Sequence, residues 1–156
     1  MNEEAQQKCP MGNLGRKVFA VLLLAVYGNV VGYVVWGKLF QGVLAQYNHL
    51  WRPMQSPEWS YMPVAYLIAA VFFSAIYCVF SRAFNYNCRF QKGIVIGLFI
   101  WLLTGVVNTV FWYIIHPIPL ILTVPSLLDP FLFYVGGGII ISGLCGKQSC
   151  AVNPKP

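Results

Sequence analysis

Few residues in this chain have side chains able to do chemistry, and their positions narrow what that chemistry is. Asp129 is one of four acidic residues. It falls inside an apolar run, where an ionisable group is a functional candidate by default, here as a proton or cation site. It also has a structural reading. Ser126-Leu-Leu-Asp129 has the spacing of a capping box, and a carboxylate in a first helical turn complements the helix dipole. At this shallow depth the cap is the expected role, with Pro130 tolerated in the same first turn. Arg52, beside Trp51, can stack on an aromatic face or pair with a lipid phosphate, with Glu58 or with Asp129. An Arg52–Asp129 pair is the sharpest expectation, because it would tie an outer loop to the start of the last helix. His49 and His116 are the two histidines. With Glu58 and Asp129 they make an outer-side polar cluster of the kind that holds a metal or an axial haem ligand. Cofactors inside bundles are held from facing helices, and these histidines fall in a loop and at a helix end. No cofactor and no metal site is therefore expected. Asn29, Thr104 and Asn108 offer either a sparse polar path or hydrogen bonds between helices; packing is the expected role.

These residues need elements to position them, and four apolar runs supply those. They cover residues 18–36, 62–80, 94–115 and 127–144 of the 156-residue chain. A helix that spans a hydrocarbon core about 30 Å thick needs roughly 20 apolar residues. The runs are continuous rather than alternating, which excludes a transmembrane β-barrel pattern. The chain is 58% hydrophobic and only 9% charged, where a soluble domain carries about a quarter charged residues. This composition excludes a soluble enzyme, a disordered tail and a nucleic-acid-binding domain. The expected fold is an all-α membrane protein: a single domain, residues 1–156, built as a four-transmembrane-helix bundle, with tails at 1–15 and 146–156. The first run is too long for a signal-peptide h-region and lacks a small-residue cleavage site, so it is expected to be retained.

The charges encode orientation. Lys8, Arg16 and Lys17, then Arg82, Arg89 and Lys92, then Lys147 and Lys155 fall on one side; Lys38 and Arg52 fall on the other. By the positive-inside rule both termini face the cytoplasm, and the +6 net charge is not a sign of an anionic partner. Cys9, Cys78, Cys88, Cys145 and Cys150 all lie towards the cytoplasmic side and read as free thiols in a reducing compartment.

Between the first two runs, Leu39, Phe40, Val43, Leu44, Tyr47, Leu50 and Trp51 recur at helical spacing. That pattern predicts a short interfacial helix; the alternative is that the first span runs on and bends near Gly37. Ser60 is the expected N-cap of the second span. Pro117, Pro119 and Pro125 break the second outer loop. Because that loop is apolar, it should lie at the interface or tuck back against the bundle. Small-residue pairs, including Gly28 with Gly32 and Gly138 with Ser142, predict close helix approach.

The run Tyr47-Asn-His-Leu-Trp-Arg-Pro53, with Gly37 before it, Gly93 and Gly97 opening the third span and Pro117-Ile-Pro119 after it, resembles a family of small, uncharacterised bacterial four-span integral membrane proteins with a Leu-Trp-Arg-Pro outer loop. The resemblance implies a bacterial inner membrane and no established activity. Where the family has a histidine before the glycine, this chain has Trp36, which counts against a shared histidine-based function. The chain has no phosphate-binding glycine loop, no Ser/His/Asp arrangement and no H-E-x-x-H, so catalytic residues are not expected. The expected function is a non-catalytic accessory or structural subunit of a membrane assembly. Its partners would be the lipid bilayer and other membrane subunits or copies of itself, and not nucleic acid. The alternatives are a small transporter or channel, and a haem- or metal-binding redox module using the outer histidines.

Overall fold

The computed structural model describes residues 14–50, 56–83, 88–116 and 119–145, and every regular element within them is helical. Helix α1 (Leu14–Val34) continues through a π-helical turn, Val35–Leu39, into the short α2 (Gln41–Gln46) and a single 3-10 turn, Asn48–Leu50. A 3-10 segment, Pro57–Tyr61, leads into α3 (Met62–Ala83). Helix α4 (Arg89–Ile100), a π-helical stretch (Trp101–Val106) and α5 (Val107–Ile115) run end to end as one rod. A 3-10 turn, Leu120–Leu122, then opens α6 (Thr123–Cys145).

Four of these rods are long and apolar enough to cross a membrane: Leu14–Leu39, Pro57–Ser81, Arg89–Ile115 and Leu120–Leu144. They contain the four expected spans, and they mark the chain as an integral membrane protein. Each is longer than its apolar core because helix geometry carries on through flanking polar and proline-containing residues. The first span does run past Trp36, and Gly37 lies inside the π-helical turn where the rod ends. The helix expected in the outer loop is present only as the six residues of α2.

Helix α6 is the hub. It packs along α4 and against α1, while α1 also lies along α3. Helices α3 and α4, consecutive in the chain, touch little. The α4–α6 contact is close because it is made by glycines. A Cβ on Gly93 would collide with the Gly138 carbonyl oxygen, one on Gly138 with the Gly93 carbonyl, and one on Gly97 with the Tyr134 carbonyl. Lipid tails are as apolar as leucine, so burial drives helix association weakly in a bilayer. Close van der Waals packing between small residues has to supply the attraction.

The core is filled by Leu24, Phe73, Tyr77, Ile96, Phe133 and Ile141, all nearly or fully buried. Phe73 is the centre of an aromatic cluster, with its ring 5.4 Å from Tyr134, 6.2 Å from Phe133 and 6.4 Å from Tyr77 between centroids. Ser74 beside it is buried with no hydrogen-bond partner for its hydroxyl among the described residues. Phe19, Val26, Phe72, Leu103 and Ile114 are exposed, as side chains that meet lipid are.

Two cap assignments are corrected. Ser60 does not cap α3; the preceding 3-10 turn starts the rod earlier, and the Ser60 hydroxyl donates to the Pro57 carbonyl at 2.6 Å. Ser126 does not cap α6 either. The helix begins at Thr123, with the buried Pro125 in its first turn where no N–H is needed. Ser126 then lies within the helix and donates to the Leu122 carbonyl at 2.9 Å. Leu122 and Pro125 are buried while Leu120 and Ile121 are exposed, so among the described residues only the end of the second outer loop nearest α6 packs against the bundle.

Candidate functional site

With α6 starting at Thr123, Asp129 and Pro130 lie in the helix interior rather than in its first turn. The capping role expected for Asp129 is therefore overturned. Its carboxylate instead reaches across the bundle. Trp36 Nε1, from the π-helical turn after α1, donates to Asp129 Oδ2 at 3.0 Å. Tyr66 Oη, from α3, donates to the same oxygen at 3.1 Å and lies 3.4 Å from Oδ1. Three separate rods thus converge on one acid, which is partly buried.

The local sequence explains how Tyr66 gets there. Gly28 and Gly32 form a slot on α1, and the Tyr66 ring occupies it. A Cβ on Gly32 would collide with the Tyr66 hydroxyl, and one on Gly28 would come within 2.6 Å of Tyr66 Cδ1 and 2.7 Å of Phe133 Cε2. The small-xxx-small pair read from the sequence as helix packing is therefore a seat for a tyrosine. The Tyr66 ring also meets Phe133 at 5.8 Å. Further along α6, Tyr27 Oη donates to the Leu132 carbonyl at 2.9 Å, giving α1 a second polar tie to the same helix.

A second feature lies where α6 meets the π-helical stretch of the third rod. Thr104, Gly105, Asn108, Pro130 and Tyr134 line a groove of about 310 Å³ between the π-helical stretch and α6. A π-helical segment and a proline both remove regular backbone pairing, and both recur at functional sites in membrane helices. Here neighbouring side chains take up backbone carbonyls of α6. Trp101 Nε1 donates to the Leu127 carbonyl at 3.1 Å, and Thr109 Oγ1 lies 3.3 Å from the Ser126 carbonyl and 2.8 Å from that of Gly105. The Ser126 carbonyl is the one that Pro130, with no N–H, cannot serve.

The remaining sequence candidates do not converge. Asn29 Nδ2 donates to the Ala25 carbonyl of its own helix at 2.8 Å, and Thr104 Oγ1 to the Ile100 carbonyl of its own rod at 2.8 Å. Asn108 is exposed and lines the groove. His49 is exposed with its ring 6.5 Å from Tyr47, and His116 is exposed with its ring 4.3 Å from Trp112. Glu58 accepts from Ser56 Oγ. No group of three His, Cys, Asp or Glu side chains comes together among the described residues. Arg52, and with it the expected Arg52–Asp129 pair, lies outside the described residues.

One expectation about the cysteines is also corrected. Cys78 and Cys88 are disulfide-bonded rather than free. Two half-buried sulfurs thus meet at the same end of α3 and α4, a proximity that spacing along the sequence does not reveal. Compared with known proteins, the chain matches no protein-family model, no curated protein and no solved structure.

Proposed function

We propose that this chain is a non-catalytic subunit of a membrane assembly, held in a bacterial inner membrane with both termini in the cytoplasm. The orientation follows from eight basic residues on one side against two on the other. In that orientation α2 lies along the outer interface and the Asp129 cluster sits in the outer half of the bundle.

The observation that carries the reading is the fate of the polar side chains. Asp129 is engaged by Trp36 and Tyr66, and Asn29 and Thr104 are satisfied within their own rods. A conduit needs polar groups that face one another along a path, and these do not. Asn108 instead stands exposed on a membrane-crossing rod, beside a groove with room for a neighbouring side chain. An amide in hydrocarbon gains from a hydrogen-bonding partner, worth about 0.6 kcal/mol on average and up to roughly 2 kcal/mol. A helix of another subunit, or of a second copy, supplies one.

The test is isolation in mild detergent or polymer nanodiscs, followed by native mass measurement. The expected particle is larger than the 17.5 kDa chain, and Asn108→Leu weakens association by about threefold or more while leaving the bundle folded. A monomer with no co-purifying protein overturns the reading.

A further inference from the structure

The cysteines give the chain a site that the subunit reading does not use. Cys78 lies in α3 near its end, within the apolar run Ala75–Phe80. Cys88 is the N-cap residue of the 12-residue α4, in extended backbone (φ −109°, ψ 124°), and makes no side-chain cap hydrogen bond. Both are half-buried and both are disulfide-bonded. Arg89 and Lys92 follow in the first turn of α4 with no acid among them, and Lys92 N donates to the Cys88 carbonyl at 3.1 Å. The disulfide ties α3 to α4, which otherwise meet at the Phe80–Phe99 ring pair, 5.4 Å between centroids, and pack mainly on α1 and α6.

We propose that Cys78 and Cys88 form one redox-active pair, reduced by a soluble dithiol protein of the thioredoxin class. Two features support exchange rather than a purely structural bond. The first is asymmetry. A sulfur at a helix N-terminus, with Arg89 and Lys92 in the turn that follows, is stabilised as the thiolate, whereas Cys78 lies in an apolar run towards the C-terminal end of α3 with one basic residue, Arg82, a turn further on. The better leaving group leaves faster. Exchange therefore runs in one direction. A thiolate of the dithiol attacks Cys78 Sγ, the Sγ–Sγ bond breaks, and its electron pair leaves on Cys88. The second thiolate of the dithiol then attacks its own sulfur in the mixed disulfide and expels Cys78. The pair gains two electrons and, on protonation from water, two protons; the dithiol becomes a disulfide. The second feature is location. This clause rests on the orientation proposed above, which places the pair on the cytoplasmic side, where a disulfide in a mesophile is usually transient, catalytic or redox-sensing.

The experiment uses the full chain in membrane vesicles, with Cys9, Cys145 and Cys150 changed to serine so that only the pair remains. After mild oxidation, maleimide-polyethylene glycol should add no tag; after incubation of inside-out vesicles with reduced thioredoxin it should add two. In single variants, Cys88 (in Cys78→Ser) should alkylate at least tenfold faster at neutral pH than Cys78 (in Cys88→Ser). Two tags on the oxidised protein, equal alkylation rates, or a disulfide that yields only after denaturation would each overturn the proposal. Reduction from the outer face of right-side-out vesicles alone would uphold exchange chemistry and overturn the orientation.

Discussion

Tyr66 Oη sits 3.1 Å from Asp129 Oδ2, a contact between α3 and α6 that is made across α1 through the slot left by Gly28 and Gly32. Trp36 closes on the same oxygen at 3.0 Å from the end of the first rod. The acid therefore works as a polar staple between three helices, beside the separate Tyr27 tie of α1 to α6.

Removing the acceptor should loosen that staple. Hydrogen bonds to a charged group contribute about 1.5–3 kcal/mol. Asp129→Leu, which strands both donors, is expected to cost about 2 kcal/mol in a steric-trap or detergent unfolding measurement, with Asp129→Asn costing less because the amide oxygen still accepts. The same Asp129→Asn protein, reconstituted in liposomes, should show proton and cation flux equal to wild type. A large loss of flux would favour the transporter alternative.

The tyrosine slot makes a coupled prediction. Gly32→Ala should displace the Tyr66 hydroxyl and so resemble Tyr66→Phe. In a double-mutant cycle the two should be strongly non-additive, since residues in contact show coupling of roughly 0.5–3 kcal/mol. Additive effects would mean that Tyr66 holds Asp129 without needing the slot.

Glycines on α4 and α6 should be intolerant in proportion to the backbone they approach. Gly97→Ala and Gly138→Ala each drive a methyl into a carbonyl of the facing helix, and overpacking of this kind costs about 1–3 kcal/mol or more. Gly143, also on α6, has open space where a methyl would go, with nothing within 4 Å. Gly143→Ala should fall within about 0.5 kcal/mol of wild type. Thermal unfolding of the three variants in one detergent checks the ranking.

Ser74 is an opportunity for stabilisation. Its hydroxyl is buried without a partner among the described residues, and an unsatisfied buried group costs about 1–3 kcal/mol. Ser74→Ala should raise stability by about 1 kcal/mol, whereas Phe73→Ala beside it should lower it by roughly 3–5 kcal/mol through the cavity left in the aromatic cluster. Detergent unfolding of both variants against wild type checks the opposite signs.

Much of this architecture is legible in the sequence. Four rods follow from four apolar runs, because the bilayer imposes length and apolarity on any spanning helix. The small-residue pairs Gly28–Gly32 and Gly138–Ser142 announce close approach before any partner is known. What the sequence conceals is which side chains meet. Asp129 has capping-box spacing, but that spacing matters only where a helix starts, and the Leu120–Leu122 turn moves the start upstream. Nothing in the sequence around Trp36 or Tyr66 marks either as a partner of the acid. Both are found at the acid only once α1 and α3 are brought against α6. The local signal for that meeting was the glycine pair, an empty slot wide enough for a ring. Cys78 and Cys88 are hidden for the same reason: their spacing along the chain does not fix their separation in space.

Because α6 is the hub and also the last of the described helices in chain order, the order of synthesis constrains assembly. When α4 and α5 have left the ribosome, α1 and α3 can already pair, but the glycine face of α4 has no partner. Gly93 and Gly97 then wait, exposed to lipid, until Tyr134 and Gly138 arrive. A chain stalled before α6 would carry a mated pair and an orphan helix with a ready-made small-residue face.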